Sequence, residues 1–448
     1  MTTPIYGRRL WLLALLYGLV LLLPTAFLPL METTEARYAE IAREMVASGN
    51  WLEPCFNGIK HFHKPPLPYW LIAAGLKLFG VNDFGARFFG VVSAILTLVF
   101  FHRLSGVVAG DERTAWRATL IFASSLLFLA VSRIVSTDIH LTCCTVAVLF
   151  YLLRRRCGER RRRDPLLVGL WLGLGFLVKG PVIFLFTLAP FLVAKGFDSG
   201  HRRLFGWGEV GLGLLAFAAV ALPWYLAVAA RNPGLLEYFL KVQTVERVTT
   251  NRFHRSEPPW YFLAVFAGGF FPWVLFFGRS LSALRRLAPP ARVMLVYVAV
   301  PFVLFTLNQS KQATYILPLF PVAALFTAEA MGRIAMPRLR DFAVGLLALP
   351  AVALAGIGFL YPPLRGYWPL FLAAGAVAGA GVWLAARNRR EERFVAWTAA
   401  TLILVMTAAH GGMALAGPEL KSYEAMAAAI DRRDPGRERE VMVYLGFL

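Results

Sequence analysis

The chain is poor in charged residues and in cysteine. Only 16% of its 448 residues are charged, and its four cysteines include the adjacent pair Cys143 and Cys144. This arrangement fits neither a disulfide framework nor a CxxC zinc site. The sequence also lacks a Gly-rich phosphate fingerprint after a strand. These absences argue against a disulfide-stabilised fold, a cysteine zinc centre and a Rossmann-type nucleotide domain.

Apolar residues make up most of the chain. They account for 58% of the sequence, and they recur in stretches close to the ~20 residues that cross a bilayer. This pattern predicts one polytopic membrane domain, whereas length alone would suggest about three soluble domains. The first apolar run is too long for a signal peptide and further spans follow it, so an uncleaved first span is predicted.

The predicted fold class is an all-α membrane bundle of about thirteen transmembrane helices over residues 1–412, followed by a short exoplasmic C-terminal segment at 413–448. The spans are predicted at 10–30, 88–104, 114–132, 139–153, 165–179, 181–197, 208–229, 261–278, 292–307, 315–331, 342–360, 368–386 and 395–412.

Basic residues set the predicted orientation. The formal net charge is +20, and the densest basic run, RRRCGERRRRD at 154–164, lies between two apolar segments. Arginine-rich loops on alternate sides follow the positive-inside rule, which places the N-terminus in the cytoplasm. The charge is therefore a topological signal, and nucleic acid is not expected as a partner. We expect a multi-pass inner (plasma) membrane protein whose active face is exoplasmic.

The first exoplasmic loop, 31–87, is predicted to contain two interfacial helices. In TTEARYAEIAREMVASGNW, Tyr38, Ile41 and Met45 lie on one stripe, and Gly49 stops the pattern. Thr34 suits the N-cap of this helix. The second stretch, LPYWLIAAGLKLFG, is too short to cross the membrane comfortably.

Carboxylates occur at two places on this face. Glu32 and Glu35 follow the first span. In one interpretation a carboxylate here acts as a general base or charge stabiliser. In the other, Glu35 only stabilises the helix through its dipole. Asp138 shares a short turn with Arg133. It is either functional, as ionisable groups at membrane depth tend to be, or it starts the next helix.

Cations accompany these carboxylates. Lys179 ends a span, where it either reaches the lipid headgroups or binds a lipid phosphate. Lys311 and Tyr315 offer a positive charge and a hydroxyl donor suited to phosphate. Carboxylates alone would fit a proton relay in a transporter. Cations beside interfacial helices instead favour a lipid-phosphate substrate that enters from the bilayer.

The string TEARYAEIAREMVASGNWLEPCFNGIKHFHKPPLPYW resembles the first exoplasmic loop of bacterial aminoarabinose transferases that modify lipid A. More broadly, it is similar to polyprenyl-phosphate-sugar glycosyltransferases related to protein O-mannosyltransferases. The likeness continues, in order, through Asp138, KGP at 179–181, ER at 246–247, FHRSEPPWYF at 253–262 and SKQATYILPLFP at 310–321.

The resemblance implies a GT-C fold and an enzyme that moves one sugar, with inversion, from a polyprenyl (undecaprenyl) phosphate carrier to an exoplasmic lipid A-like glycolipid or a protein. It implies catalytic roles for Glu35, Asp138 and Glu32, carrier-phosphate binding by Lys64, Lys179, Arg247, Lys311, Tyr315 and Arg37, and a zinc site at His63 with His254, for which ordinary loop histidines are the alternative.

Three departures from the family pattern accompany the resemblance. Thr34 and Glu35 stand where relatives commonly carry an Asp-Glu pair, and His63 stands where relatives often carry Glu. The C-terminal segment is shorter than the family's exoplasmic domain, as in a trimmed or minimal domain.

The alternative function is a transporter or flippase of lipid-linked sugars, which predicts charges deep in both halves of the bilayer and an internal repeat. Neither feature is evident in the sequence.

Overall fold

The structure is a computed structural model that describes residues 4–30, 32–202, 204–246, 257–282, 284–286, 289–388 and 390–416. Within these ranges the chain is helical apart from short loops and one two-stranded hairpin. The predicted all-α class is confirmed.

The first eleven helices are α1 (Pro4–Thr25), α2 (Glu32–Ser48), α3 (Leu67–Phe79), α4 (Asp83–Ala109), α5 (Glu112–Ala123), α6 (Leu126–Val131), α7 (Thr137–Arg156), α8 (Asp164–Lys179), α9 (Val182–Phe186), α10 (Leu188–Phe197) and α11 (Ser199–Arg202). The later helices are α12 (Trp207–Arg231), α13 (Leu235–Glu237), α14 (Tyr261–Gly269), α15 (Trp273–Leu281), α16 (Pro289–Leu307), α17 (Phe320–Met331), α18 (Pro337–Leu360), α19 (Trp368–Arg387) and α20 (Glu391–Ala416). A π-helical segment spans Tyr238–Glu246, and 3-10 segments span Leu284–Arg286, Ala313–Leu319 and Pro362–Tyr367.

The bundle is arranged for a membrane. In α7 and in the segment Ala313–Met331, 94% of the apolar window is buried inside the protein, so these two segments form its centre. Only 17% of the corresponding window of α12 is buried, and its Trp207 and Leu215 are 93% and 71% exposed. Apolar side chains on this scale face lipid rather than water. The chain is therefore a multi-pass membrane protein.

The number of spans differs from the prediction. Eight described helices are long and apolar enough to cross a membrane, or nine if α14 and α15, which meet at 117°, count as one span. All thirteen predicted segments contain helix, but some are short or broken, and the count of thirteen is not confirmed. The predicted span 114–132 breaks after Ala123. There the Ser124 and Ser125 hydroxyls donate to the carbonyls of Leu120 and Phe122, each at 2.7 Å.

The first loop contains both predicted helices. α2 begins at Glu32, two residues before the expected Thr34 cap, and ends at Ser48 before Gly49, whose φ is +69°. A hairpin of β1 (Cys55–Phe56) and β2 (Ile59–Lys60) follows. Asn57 and Gly58 form its turn, with φ of +53° and +72°, as in the type I′ turns that Asn-Gly favours. α3 then confirms the second predicted helix.

Buried apolar side chains hold this loop on the bundle. Tyr38 and Ile41 of α2 pack with Tyr69 of α3 and with Val135, which lies two residues before the start of α7. Two tryptophan rings add hydrogen bonds, since Trp70 Nε1 donates to the Trp51 carbonyl at 2.7 Å and Trp224 Nε1 donates to the Leu52 carbonyl at 2.9 Å. The loop is therefore a packed layer over one end of the helices.

Candidate active site

Asp138 occupies the first turn of α7, at the end of the bundle that the first loop covers. Ser136 caps this helix, because its hydroxyl accepts a hydrogen bond from the Asp138 amide at 3.1 Å. The Asp138 side chain is thus not needed as the cap. Its Oδ2 accepts from the Thr314 hydroxyl at 2.7 Å, and its Oδ1 is paired with the Lys179 ammonium. Asp138 is buried.

Lys179 reaches Asp138 because α8 ends at Gly180. The φ of +65° at Gly180 lies in the region that favours glycine, and Pro181 is the N-cap of α9. The Lys179 ammonium lies 4.1 Å from the centroid of the Tyr315 ring, a cation–π distance. Tyr315 belongs to the 3-10 segment Ala313–Leu319 and is buried. Three distant parts of the sequence therefore meet around one buried ion pair.

Lys311 connects this cluster to the loop that precedes α14. Its ammonium donates to the Glu257 carbonyl at 2.9 Å, and the residue is 9% exposed. Among the described residues Lys311 has no carboxylate within ion-pair distance. A largely buried cation without a carboxylate keeps a positive potential that favours an anionic ligand.

Glu35 is held by a partner that the sequence did not identify. Both of its carboxylate oxygens accept from the Arg87 guanidinium, at 3.1 and 2.9 Å, and Oε1 also accepts from the Val135 amide at 2.7 Å. Arg87 is 1% exposed and also donates to the Pro29 carbonyl at 3.0 Å. In the sequence, this pair is indicated only by Arg87, a single arginine just before the predicted span 88–104. Glu32 begins α2, and its side chain lies outside the described part.

Arg37, His61, His63 and Lys64 form a cationic cluster beside the hairpin. The rings of His61 and His63 are 4.1 Å apart between centroids. Burial, together with the positive charges of His63, Arg37 and Lys64, lowers the pKa of His61 to about 3. Lys64 is half-buried and His63 is exposed. The imidazole of His61 is therefore neutral, and it borders a surface whose charge is positive.

Packing places the cationic cluster and the Asp138 cluster on the same end of the bundle. Phe62, between the two histidines, packs in one apolar cluster with Leu177, two residues before Lys179. Glu35 contacts the turn that leads into Asp138. We call this end the loop face, defined by Glu35, Lys64, Asp138 and Lys179. It brings together most of the residues that the resemblance implied.

Two of the predicted site residues, Arg247 and His254, lie outside the described residues. The described part contains no group of three or more His, Cys, Asp or Glu side chains that could hold a metal ion. His61 and His63 lie with their rings tilted by 42° against each other and do not supply such a set. The zinc expectation therefore stays a prediction, and no step below depends on a metal.

The chain is similar to known membrane glycosyltransferases. Residues 63–226 match the family model described as dolichyl-phosphate-mannose-protein mannosyltransferase. The chain is 33% identical over 411 residues to the undecaprenyl phosphate-alpha-4-amino-4-deoxy-L-arabinose arabinosyl transferase 1 of Sodalis glossinidius, covering 86% of this chain and 72% of that protein. It is 34% identical over 403 residues to the corresponding enzyme of Pseudomonas paraeruginosa, with 84% and 72% covered.

A solved structure shows the same architecture. The crystal structure of ArnT from Cupriavidus metallidurans bound to undecaprenyl phosphate superposes with a TM-score of 0.82 at 25% identity, covering 98% of this chain and 82% of that chain. The predicted GT-C fold is confirmed. The chain belongs to the aminoarabinose transferase family of membrane glycosyltransferases, which use sugars carried on a polyprenyl phosphate.

Proposed function

We propose that the chain transfers 4-amino-4-deoxy-L-arabinose, or a closely related sugar, from undecaprenyl phosphate to a lipid A-like glycolipid at the exoplasmic surface. The relatives' names supply the sugar and the carrier. The observation that carries the proposal is the cationic cluster of Arg37, His63 and Lys64, which lies on the same loop face as Lys179. A phosphate monoester or diester needs such a site, whereas a neutral acceptor does not.

The proposed orientation follows the arginine-rich loops. The arginines between Arg154 and Arg163 lie in the last turn of α7 and just after it, at the end opposite to Asp138. If the positive-inside rule assigns that end to the cytoplasm, the loop face is exoplasmic and the N-terminus is cytoplasmic. The donor then reaches the cluster laterally from the outer leaflet.

In the proposed reaction an acceptor oxygen attacks the anomeric carbon from the side opposite the carrier phosphate. The bond between that carbon and the phosphate oxygen breaks, its electron pair remains on the phosphate, and the configuration inverts. Lys64 and Arg37 hold the phosphate from the first loop. Lys311, Tyr315 and Arg247, which come later in the chain, also bind the phosphate. Positive charges already in place stabilise the leaving phosphate as its charge grows.

The carboxylates act mainly by positioning. Glu35 has both oxygens bonded to Arg87, and Asp138 has its oxygens bonded to Lys179 and Thr314. A carboxylate held in this way is a poor general base, because proton uptake would break its ion pair. An acceptor that is itself a phosphate anion needs no base. The engaged carboxylates thus favour a phosphate oxygen of the glycolipid as the nucleophile.

Replacing Lys64 by Ala tests the proposal. Membranes carrying the variant are supplied with labelled undecaprenyl-phosphate sugar, and transfer to the glycolipid is measured. We expect a loss of about 100-fold, the size typical for removal of one transition-state contact. Lys77→Ala is the matched control, because Lys77 lies exposed near the end of α3 in the same loop. Near-normal transfer by Lys64→Ala, equal to that of the control, would refute the phosphate role of Lys64.

A further inference from the structure

A cavity lies at the other end of the bundle, away from the loop face. It has a volume of about 1040 Å³ and opens between the end of α4, the start of α5, the end of α7 and the loop 157–163. Arg154 on its wall follows Asp138 by 16 residues on the same helix, a separation of about 24 Å at 1.5 Å per residue. This cavity is therefore separate from the site of sugar transfer.

The lining is dominated by arginine. Five arginines line the cavity with three carboxylates, so positive side chains are in excess. One carboxylate oxygen, Glu112 Oε2, is buried without a hydrogen-bond partner in the described part of the chain. Asp111 caps α5 by accepting from the Thr114 amide at 2.7 Å, Glu112 lies 3.3 Å from His102, and Glu159 lies 4.0 Å from Arg161. The cavity therefore keeps a positive charge.

Three of the arginines are available to a ligand. Arg103, Arg162 and Arg163 are exposed, and within the described residues none of them makes an ion pair or a hydrogen bond through its side chain. Guanidinium groups are weakly hydrated and bind phosphate through two parallel hydrogen bonds. Three such groups around one cavity suit a phosphate ligand.

Arg154 supplies an unsatisfied donor at the back of the cavity. It is 6% exposed and paired with Asp164, and its guanidinium carbon lies 4.9 and 5.1 Å from the ring centroids of Phe150 and Tyr151. Its Nε is buried and has no hydrogen-bond partner in the described part of the chain. A buried donor without an acceptor costs about 1–3 kcal/mol. An anion in the cavity would remove this cost.

The cavity is also partly apolar. Val107, Phe150 and Leu167 line it, and Leu166 beside it is 40% exposed on the outside of the bundle. The positive-inside rule accounts for arginines in a loop, but it accounts neither for a cavity nor for an unsatisfied buried donor inside one. Arginines combined with apolar walls at a membrane surface match a phospholipid headgroup with its first chain carbons.

We propose that this cavity, the arginine-face cavity, binds the phosphate headgroup of an anionic phospholipid from the adjoining leaflet. Arg103, Arg162 and Arg163 surround the phosphate, Arg154 Nε donates to it from behind, and Val107 and Leu167 contact the start of the acyl chains. The bound lipid contacts the ends of α4, α5, α7 and α8 and stabilises their packing.

Native mass spectrometry of the purified full chain tests the proposal. The wild type is incubated with phosphatidylglycerol or with phosphatidylcholine of the same acyl chains, and lipid retention is compared with that of an Arg103→Gln, Arg162→Gln, Arg163→Gln variant. At about 1 kcal/mol for each basic residue, the triple variant should retain phosphatidylglycerol about 100-fold less well. Phosphatidylcholine retention should be unchanged.

The matched control is Arg338→Gln, Arg390→Gln, Arg393→Gln, which removes three exposed arginines that do not line the cavity. Equal retention of phosphatidylglycerol by the two triple variants would overturn the proposal. Displacement of the lipid by excess inorganic phosphate would also overturn it, because the cavity would then bind the free anion. If the triple variant fails to fold, Arg163→Gln alone should lower retention about fivefold, and unchanged retention would again contradict the proposal.

Discussion

The loop face and the arginine-face cavity are both basic, but they use their charges differently. On the loop face, the side chains of Lys179 and Arg87 are only 7% and 1% exposed, and each is matched by one carboxylate from a distant part of the chain. In the arginine-face cavity, Arg162 and Arg163 are exposed and have no carboxylate partner among the described residues. This difference shows that a positive net charge alone does not identify what either region does. Partners and burial separate the proposed reaction site from the proposed lipid contact.

The largest expected effect comes from breaking the ion pair of the loop face. Asp138→Ala leaves the Lys179 ammonium buried without its carboxylate, and we expect a loss of about 3–5 kcal/mol in the free energy of unfolding. Thermal unfolding in detergent measures it. Adding Lys179→Met should restore most of the stability, since the unpaired charge is then gone. A double variant as unstable as Asp138→Ala would show that the pair is not what holds these elements together.

A smaller effect is expected at the second pair. Glu35→Gln keeps the shape but removes the charge that Arg87 faces, so we expect a loss of about 2 kcal/mol, the size of a hydrogen bond to a charged group. If Glu35 positions α2, transfer per folded molecule should stay within about tenfold of the wild type, below the usual 10²–10⁴-fold effect of removing a general base. A larger loss, with stability unchanged, would identify Glu35 as a catalytic base.

The smallest effect is a pH dependence at the cationic cluster. The pKa of His61 lies at about 3 in the folded protein, below its ordinary value of 6.5, because of burial and nearby positive charges. As the pH falls below about 6.5, the unfolded state takes up the proton first, so stability is lost between that pH and about 3. Thermal unfolding at pH 7 and pH 4.5 should therefore show a smaller acid loss for His61→Phe than for the wild type. An identical loss in both would contradict a buried, neutral His61.

Local sequence patterns predicted much of the fold. The apolar stripe of Tyr38, Ile41 and Met45 correctly indicated α2. The hairpin turn at Asn57-Gly58, where both residues tolerate positive φ, was not predicted. The breaks inside spans were missed. At Ser124 the competition between side-chain and backbone hydrogen bonds ends the helix although the apolar pattern continues.

The site was predicted less completely, because its side chains pair with residues that are far away in the sequence. Asp138 and Lys179 were both selected from the sequence, but their pairing across 41 residues depends on how α7 and α8 pack. Arg87 was missed since a single arginine beside a span is usually a topology signal. The hydrogen bond of Lys311 to a backbone carbonyl could not be predicted from the sequence, because every residue type has such a carbonyl.

One paired measurement tests the separation of the two faces most directly. Labelled sugar transfer and phosphatidylglycerol retention are measured for Lys64→Ala and for the Arg103, Arg162 and Arg163 triple glutamine variant. We predict that Lys64→Ala loses transfer by about 100-fold and keeps the phospholipid, while the triple variant loses the phospholipid and keeps transfer within a few-fold. Loss of both properties in both variants would contradict two independent sites.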